Sequence, residues 1–129
     1  MTLAFELTAL LRATPQALYS AWLDSVQHTA MTGAAATASA EVNGVFTAWD
    51  GYISGRNLTL EPGKRIVQAW RTAEFAESEP DSTVEILLEP HDAGTLVTLR
   101  HSNLPPHGAQ YEMGWIDNYF EPMKRYFGR

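Results

Sequence analysis

Apolar and polar side chains alternate from Leu3 to Leu11, with Leu3, Phe5, Leu7, Ala9 and Leu11 on one side. That period of two predicts a first strand. Thr14-Pro15 then reads as an N-cap with proline at the first helical position. The short helix it opens, PQALYSAWLD, carries Leu18, Ala21 and Trp22 on one face. The next stretch, SVQHTAMTGAAATASAEV, is dominated by small residues and shows no firm period. A second short helix or turn near His28 and a strand from about Thr37 are expected there. Beyond it the punctuation is regular. Asn43-Gly44 is a type I′ hairpin signal, and Asp50-Gly51 reads as a second turn or a bulge. Pro62-Gly63 fits a type II turn with glycine at the positive-φ position. The strands between them are VFTAW, YISGRNLTL and RIVQAWRT; after the acidic loop EFAESEPDS come TVEILLEP and TLVTLRHS, joined through Asp92-Ala93-Gly94. From about Gly108 to Phe127 aromatic residues recur at helical spacing, at Tyr111, Trp115, Tyr119 and Tyr126, with Pro122 expected to kink or break the helix. The expected fold is α+β: a meander of antiparallel strands with one long C-terminal helix across a face.

Length and charge narrow the classes. The 129 residues suit one domain spanning 1–129, with 45 % hydrophobic and 19 % charged residues. A net charge of −6, with no basic cluster, argues against nucleic acid and anionic membranes as partners. With no cysteine there is no disulfide, thiolate nucleophile or cysteine–zinc site. The first residues lack the pattern of a signal peptide, and no run approaches the ~18 apolar residues of a membrane span. A cytoplasmic protein without membrane insertion is expected.

The segment WDGYISGRNLTLEPGKRIVQAWR, residues 49–71, invites a phosphate-loop reading that its spacing rejects. Seven residues separate Gly55 from Gly63 where a P-loop has four, and Arg65 stands where it needs Ser or Thr. Gly55 reads instead as a place where another backbone or side chain comes close. The four histidines form no metal-ligand pattern, so no metal and no cofactor are expected. His91 and His107 lie in turn-like sequence and read as solvated. For His28 and His101 a satisfied core histidine is the plainer account, and a polar group at a binding cavity is the other. The rings of Phe46, Trp49, Tyr52, Trp70, Trp115 and Tyr119 belong to elements that should face one another. They read either as plain core or as the walls of an apolar cavity between sheet and helix. Which of Phe46 and Trp49 points inward stays open.

The combination of HTAMTG, VFTAWDGYISGRNLTLEPGKRIVQAWR, DSTVEILLE, GTLVTLRHSNLP and GWIDNYFEPMKRYF resembles the homologues of the activator of the 90-kDa heat-shock protein ATPase, within the START-like (SRPBCC) superfamily. The likeness runs from about Leu3 to Phe127. It implies a helix-grip fold, like Bet v 1: a curved sheet of about seven antiparallel strands wrapped on a long C-terminal helix, with two short helices after strand one. The family pattern points Phe46 inward. Eukaryotic members pair such a domain with a separate chaperone-binding domain, so the isolated chain is expected to stimulate a chaperone's ATPase at most marginally.

The first functional expectation is binding of an unidentified hydrophobic small molecule, with His28, Phe46, Trp49, Tyr52, Trp70, His101, Trp115 and Tyr119 at the site. The second is a protein-interaction or chaperone-assisting module, with a chaperone as partner and a homodimer as one oligomeric form. The third is an enzyme acting on a hydrophobic substrate through His28, Asp50 or His101, although no catalytic residue can be assigned.

Overall fold

A computed structural model describes residues 2–128. Six strands form one antiparallel sheet in the order β1-β6-β5-β4-β3-β2. They are β1 (Leu3–Leu11), β2 (Val45–Ala48), β3 (Ile53–Glu61), β4 (Arg65–Thr72), β5 (Ser82–His91) and β6 (Gly94–Leu104). Sequential strands from β2 to β6 are neighbours, as short turns require, and β1 closes beside β6. Helices α1 (Pro15–Trp22) and α2 (Ser25–Thr32) separate β1 from β2. The helix-grip architecture is therefore present.

The local chemistry accounts for the starts and stops. Thr14 Oγ1 accepts from the Ala17 amide at 3.1 Å with Pro15 following it, and Asp24 caps α2 on the Gln27 amide at 2.9 Å. Gly33 ends α2 in the left-handed region. At Pro62-Gly63 the Lys64 amide bonds the Glu61 carbonyl at 2.9 Å with Gly63 at φ 71°, the expected type II chemistry. Two expectations are corrected. The strand from Thr37 is a single bridge, Thr37↔Thr47, so the sheet has six strands among the described residues. An alanine-rich segment has little side chain to pack on a sheet. Asn43-Gly44 is no I′ hairpin, because only Asn43 takes positive φ, at 68°; Gly44 instead lies against Ser39 as the chain enters β2.

One row of residues crosses the sheet in register: Phe46 opposite Gly55, Gly55 opposite Trp70, and Trp70 opposite Ser82. Gly55 is required there. A Cβ would collide with the Ala69 carbonyl and sit 2.8 Å from the Phe46 ring. A bulge between Asn57 and Thr59 bends β3 and lets Leu60 rejoin the inner face.

The C-terminal helix is continuous but not uniform. A 3₁₀ turn (Pro106–Ala109) leads into α3 (Gln110–Trp115), a π segment (Ile116–Phe120) and α4 (Glu121–Phe127). Pro122 has no N–H and its ring would press on the carbonyl four residues back. The π turn before it absorbs the conflict, with the Glu121 amide bonded to the Ile116 carbonyl. The helix thus does not break at Pro122, and helical turns run on to Phe127. It buries Tyr111, Trp115, Tyr119, Phe120 and Met123 against the inner face.

Candidate functional site: an aromatic cavity between sheet and helix

Between the β2–β3 turn and the C-terminal helix lies a cavity of about 300 Å³. Trp49, Tyr52, Ile53 and Trp70 line it from the sheet side; Tyr111, Gly114, Trp115, Asn118 and Tyr119 line it from the helix. The rings of Trp70, Tyr111, Trp115 and Tyr119 form one packed set. Trp70 meets Tyr111 edge-on at 5.1 Å between centroids and tilts against Trp115 at 5.7 Å, and Trp115 contacts Tyr119 at 4.7 Å. None of the lining side chains carries a formal charge. Of the anticipated site residues, Trp49, Tyr52, Trp70, Trp115 and Tyr119 come together on this surface. Phe46 is buried beneath Gly55 instead, and His28 and His101 stand behind the wall.

The two histidines hold the rings in place. His28 Nδ1 lies 2.8 Å from the Trp22 carbonyl, which can only accept, so this nitrogen carries the hydrogen. Nε2 then accepts from the Tyr119 hydroxyl at 2.9 Å. His101 takes the opposite tautomer. Its Nδ1 accepts from Trp115 Nε1 at 3.0 Å, and its Nε2 donates to Ser82 Oγ at 2.8 Å, while that hydroxyl donates to the Trp70 carbonyl at 2.7 Å. Burial pushes the His101 pKa down to about 3 and lowers that of His28, so both rings are neutral. The Ser82–His101 pair is not a nucleophile with its base, since the nitrogen facing the hydroxyl already holds a proton. With all four nitrogens engaged, neither histidine has one left for a molecule in the cavity. Asp50, the third group considered for proton transfer, is exposed and caps the Ala35 amide at 3.2 Å.

The polar edge of the cavity is modest. The Tyr111 hydroxyl pairs with Thr72 Oγ1 at 2.6 Å, and the Tyr52 hydroxyl donates to Glu74. Burial first, and then that carboxylate, raise the Tyr52 pKa. Trp49 is the exception to satisfaction. It sits at φ 51° in a run of three left-handed residues with Asp50 and Gly51, a conformation that costs a bulky residue about 1–3 kcal/mol. Its Nε1 is buried with no acceptor among the described residues, a further cost of about 1–3 kcal/mol.

Ile53, Tyr111, Gly114 and Asn118 escaped the sequence reading. Tyr111 carried a signal, standing four residues before Trp115 on the same helical face. Ile53 did not, because on a regular strand it would point away from Tyr52; here Tyr52 precedes the strand, in the turn.

Residues 12–128 match the family described as Activator of Hsp90 ATPase homolog 1-like protein. The human protein named Activator of 90 kDa heat shock protein ATPase homolog 1 is 30% identical over 115 residues, which are 88% of this chain and 34% of the human one. The chain thus spans about a third of the length of that relative. An HSP90 activator from Plasmodium falciparum superposes with a TM-score of 0.87 at 24% identity, over 97% of this chain and 96% of that one. The Aha1 dimer from Colwellia psychrerythraea gives a TM-score of 0.74 at 17% identity, over 88% of each chain. At such identities these two likenesses speak for the fold.

Proposed function

Because the chain belongs to the family of activator of Hsp90 ATPase homolog 1-like proteins, we propose that it works as a START-like domain holding an apolar small molecule between sheet and C-terminal helix. The observation that carries this reading is the cavity of about 300 Å³ walled by aromatic rings without charged groups. Cavities of this composition are the usual small-molecule sites, and this volume lies at the small end of their range. Binding would stabilise the native state selectively and perturb the wall tryptophans. A screen of lipids, aromatic compounds and polyketide-like molecules, followed by thermal shift and tryptophan fluorescence, should yield a ligand that does both. Absence of any shift across the screen, with a filled cavity in a crystal structure, would leave these rings as core packing. The cytoplasm is the compartment this reading assigns, and cell fractionation checks it.

A second reading is favoured by the name of the human relative and by the family itself: a chaperone-assisting module of the activator type. Since the match covers only 34% of that relative, the 129 residues by themselves should stimulate a purified 90-kDa chaperone's ATPase marginally at most. Robust, saturable stimulation would place this reading first. The dimer named for the Colwellia relative makes a homodimer the oligomeric form to test by sedimentation.

A further inference from the structure

Two residues that break ordinary folding rules face the same cavity, and a third irregularity adjoins them. Trp49 holds a large ring on left-handed backbone, and its buried indole N–H has no acceptor among the described residues. Gly114 lies within α3, where glycine is the weakest helix former after proline. Packing does not call for it: a Cβ there would meet only Asn118 Nδ2, at 3.9 Å. The π segment begins two residues later and supplies Asn118 and Tyr119 to the wall. Pro122 accounts for the π segment, but nothing nearby compensates the conflicts at Trp49 and Gly114, and such conflicts tend to collect where function, rather than stability, was selected.

We propose that Trp49 is the gate of this cavity and Gly114 the clearance beside it, admitting a flat, uncharged, apolar molecule. The inference rests on the ligand-binding reading above. The turn holds the backbone of Trp49 and leaves its indole N–H without a hydrogen bond among the described residues. Sheet pairing ends at Ala48↔Ile53, and Asp50 is clamped to Ala35 through both its own amide, at 3.0 Å, and its carboxylate, at 3.2 Å. Trp49 stands between those two fixed points, and its own carbonyl accepts from the Tyr52 amide at 3.1 Å. Swinging the indole out about its side-chain torsions, with the backbone held, lets Nε1 donate to water or to a carbonyl on the entering molecule. Closing it regains burial of the ring. Each state holds what the other lacks, and a ligand that binds one of them better shifts the balance toward it. The uncharged class follows from a wall without formal charges, and from Glu74 on the Tyr52 hydroxyl, which disfavours anions.

Hydrogen exchange of the indole N–H groups in the full ¹⁵N-labelled chain tests the gate without any ligand. Local opening should let Trp49 Nε1–H exchange about 100-fold faster than Trp115 Nε1–H, which is bonded to His101. Equal protection of the two overturns the gate. Ligand class and entry are tested with N-phenyl-1-naphthylamine and its sulfonated counterpart 8-anilinonaphthalene-1-sulfonate. The neutral dye should bind about tenfold more tightly than the anion, and equal affinity overturns the uncharged class. Trp49→Gly keeps the left-handed backbone without strain and should take up the neutral dye about tenfold faster. Gly114→Leu should weaken that dye about tenfold or more while the thermal midpoint holds. Unchanged uptake by Trp49→Gly overturns the gate, even if Gly114→Leu abolishes binding and so supports the cavity as the ligand site. If neither the wild type nor Trp49→Gly takes up either dye, the ligand-binding reading fails, and indole exchange alone decides whether Trp49 opens.

Discussion

His101 has no exposed surface, and a proton added at Nδ1 would confront the Trp115 indole N–H that it now accepts. Its folded pKa, about 3, lies below the ordinary value near 6.5. The unfolded chain therefore binds protons first as pH falls. The stability contributed by neutral His101 is complete above about pH 6.5 and is lost progressively toward pH 3, at about 1.4 kcal/mol per pH unit. His28 is shifted in the same direction, also by burial, and steepens the loss. Urea denaturation at a series of pH values checks this, and constant stability between pH 6 and 4 would contradict it. Trp115→Phe isolates the hydrogen bond. It keeps an aromatic ring but leaves His101 Nδ1 unpaired, so stability should fall by about 1–3 kcal/mol. The His101 pKa should rise as well, which an NMR titration would read; an unmoved titration would separate the two rings.

Two glycines make opposite predictions at the level of elements. In β3, Gly55→Ala forces a methyl group against the Ala69 carbonyl and the Phe46 ring, so stability should drop by about 1–3 kcal/mol or more. In α3, Gly114→Ala meets no obstruction and improves helix propensity, so stability should rise by about 1 kcal/mol. Chemical denaturation of both variants checks the pair, and a destabilised Gly114→Ala would show that packing does need the glycine. Elements themselves were largely legible in the sequence. The alternation of β1, the Thr14-Pro15 cap and the aromatic repeat of the C-terminal helix each reflect a period or a local hydrogen bond that neighbouring residues specify. The π segment was not legible, since it answers both to Pro122 and to the need to bury Tyr119 and Phe120 together. Nor was the fate of residues 34–40, whose small side chains do not decide between strand and loop.

For the molecule as a whole, a ligand at about 100 times its dissociation constant should add about 2.7 kcal/mol to native-state stability, raising the melting temperature of a chain this size by roughly 10 °C. Differential scanning calorimetry with a screening hit checks the figure, and a shift that does not grow with ligand concentration would argue against binding to the native state. The sheet, its order and the helix across it follow from patterns spread along the chain, because burying one apolar face per element allows few arrangements. That the aromatic residues would gather was readable for the same reason. Whether they leave a void was not: it depends on where the β2–β3 turn ends its pairing, how the π segment spaces Trp115 and Tyr119, and where Gly114 omits a side chain. The roles of His28 and His101 were undecided for a related reason. A histidine's chemistry is set by what its two nitrogens touch, and His28 meets Tyr119 across 91 residues of chain. Local sequence determined the elements through short-range propensity and period; contacts between residues distant in the chain decided the cavity, the tautomers and the strained Trp49, since those are properties of space that only the folded backbone defines.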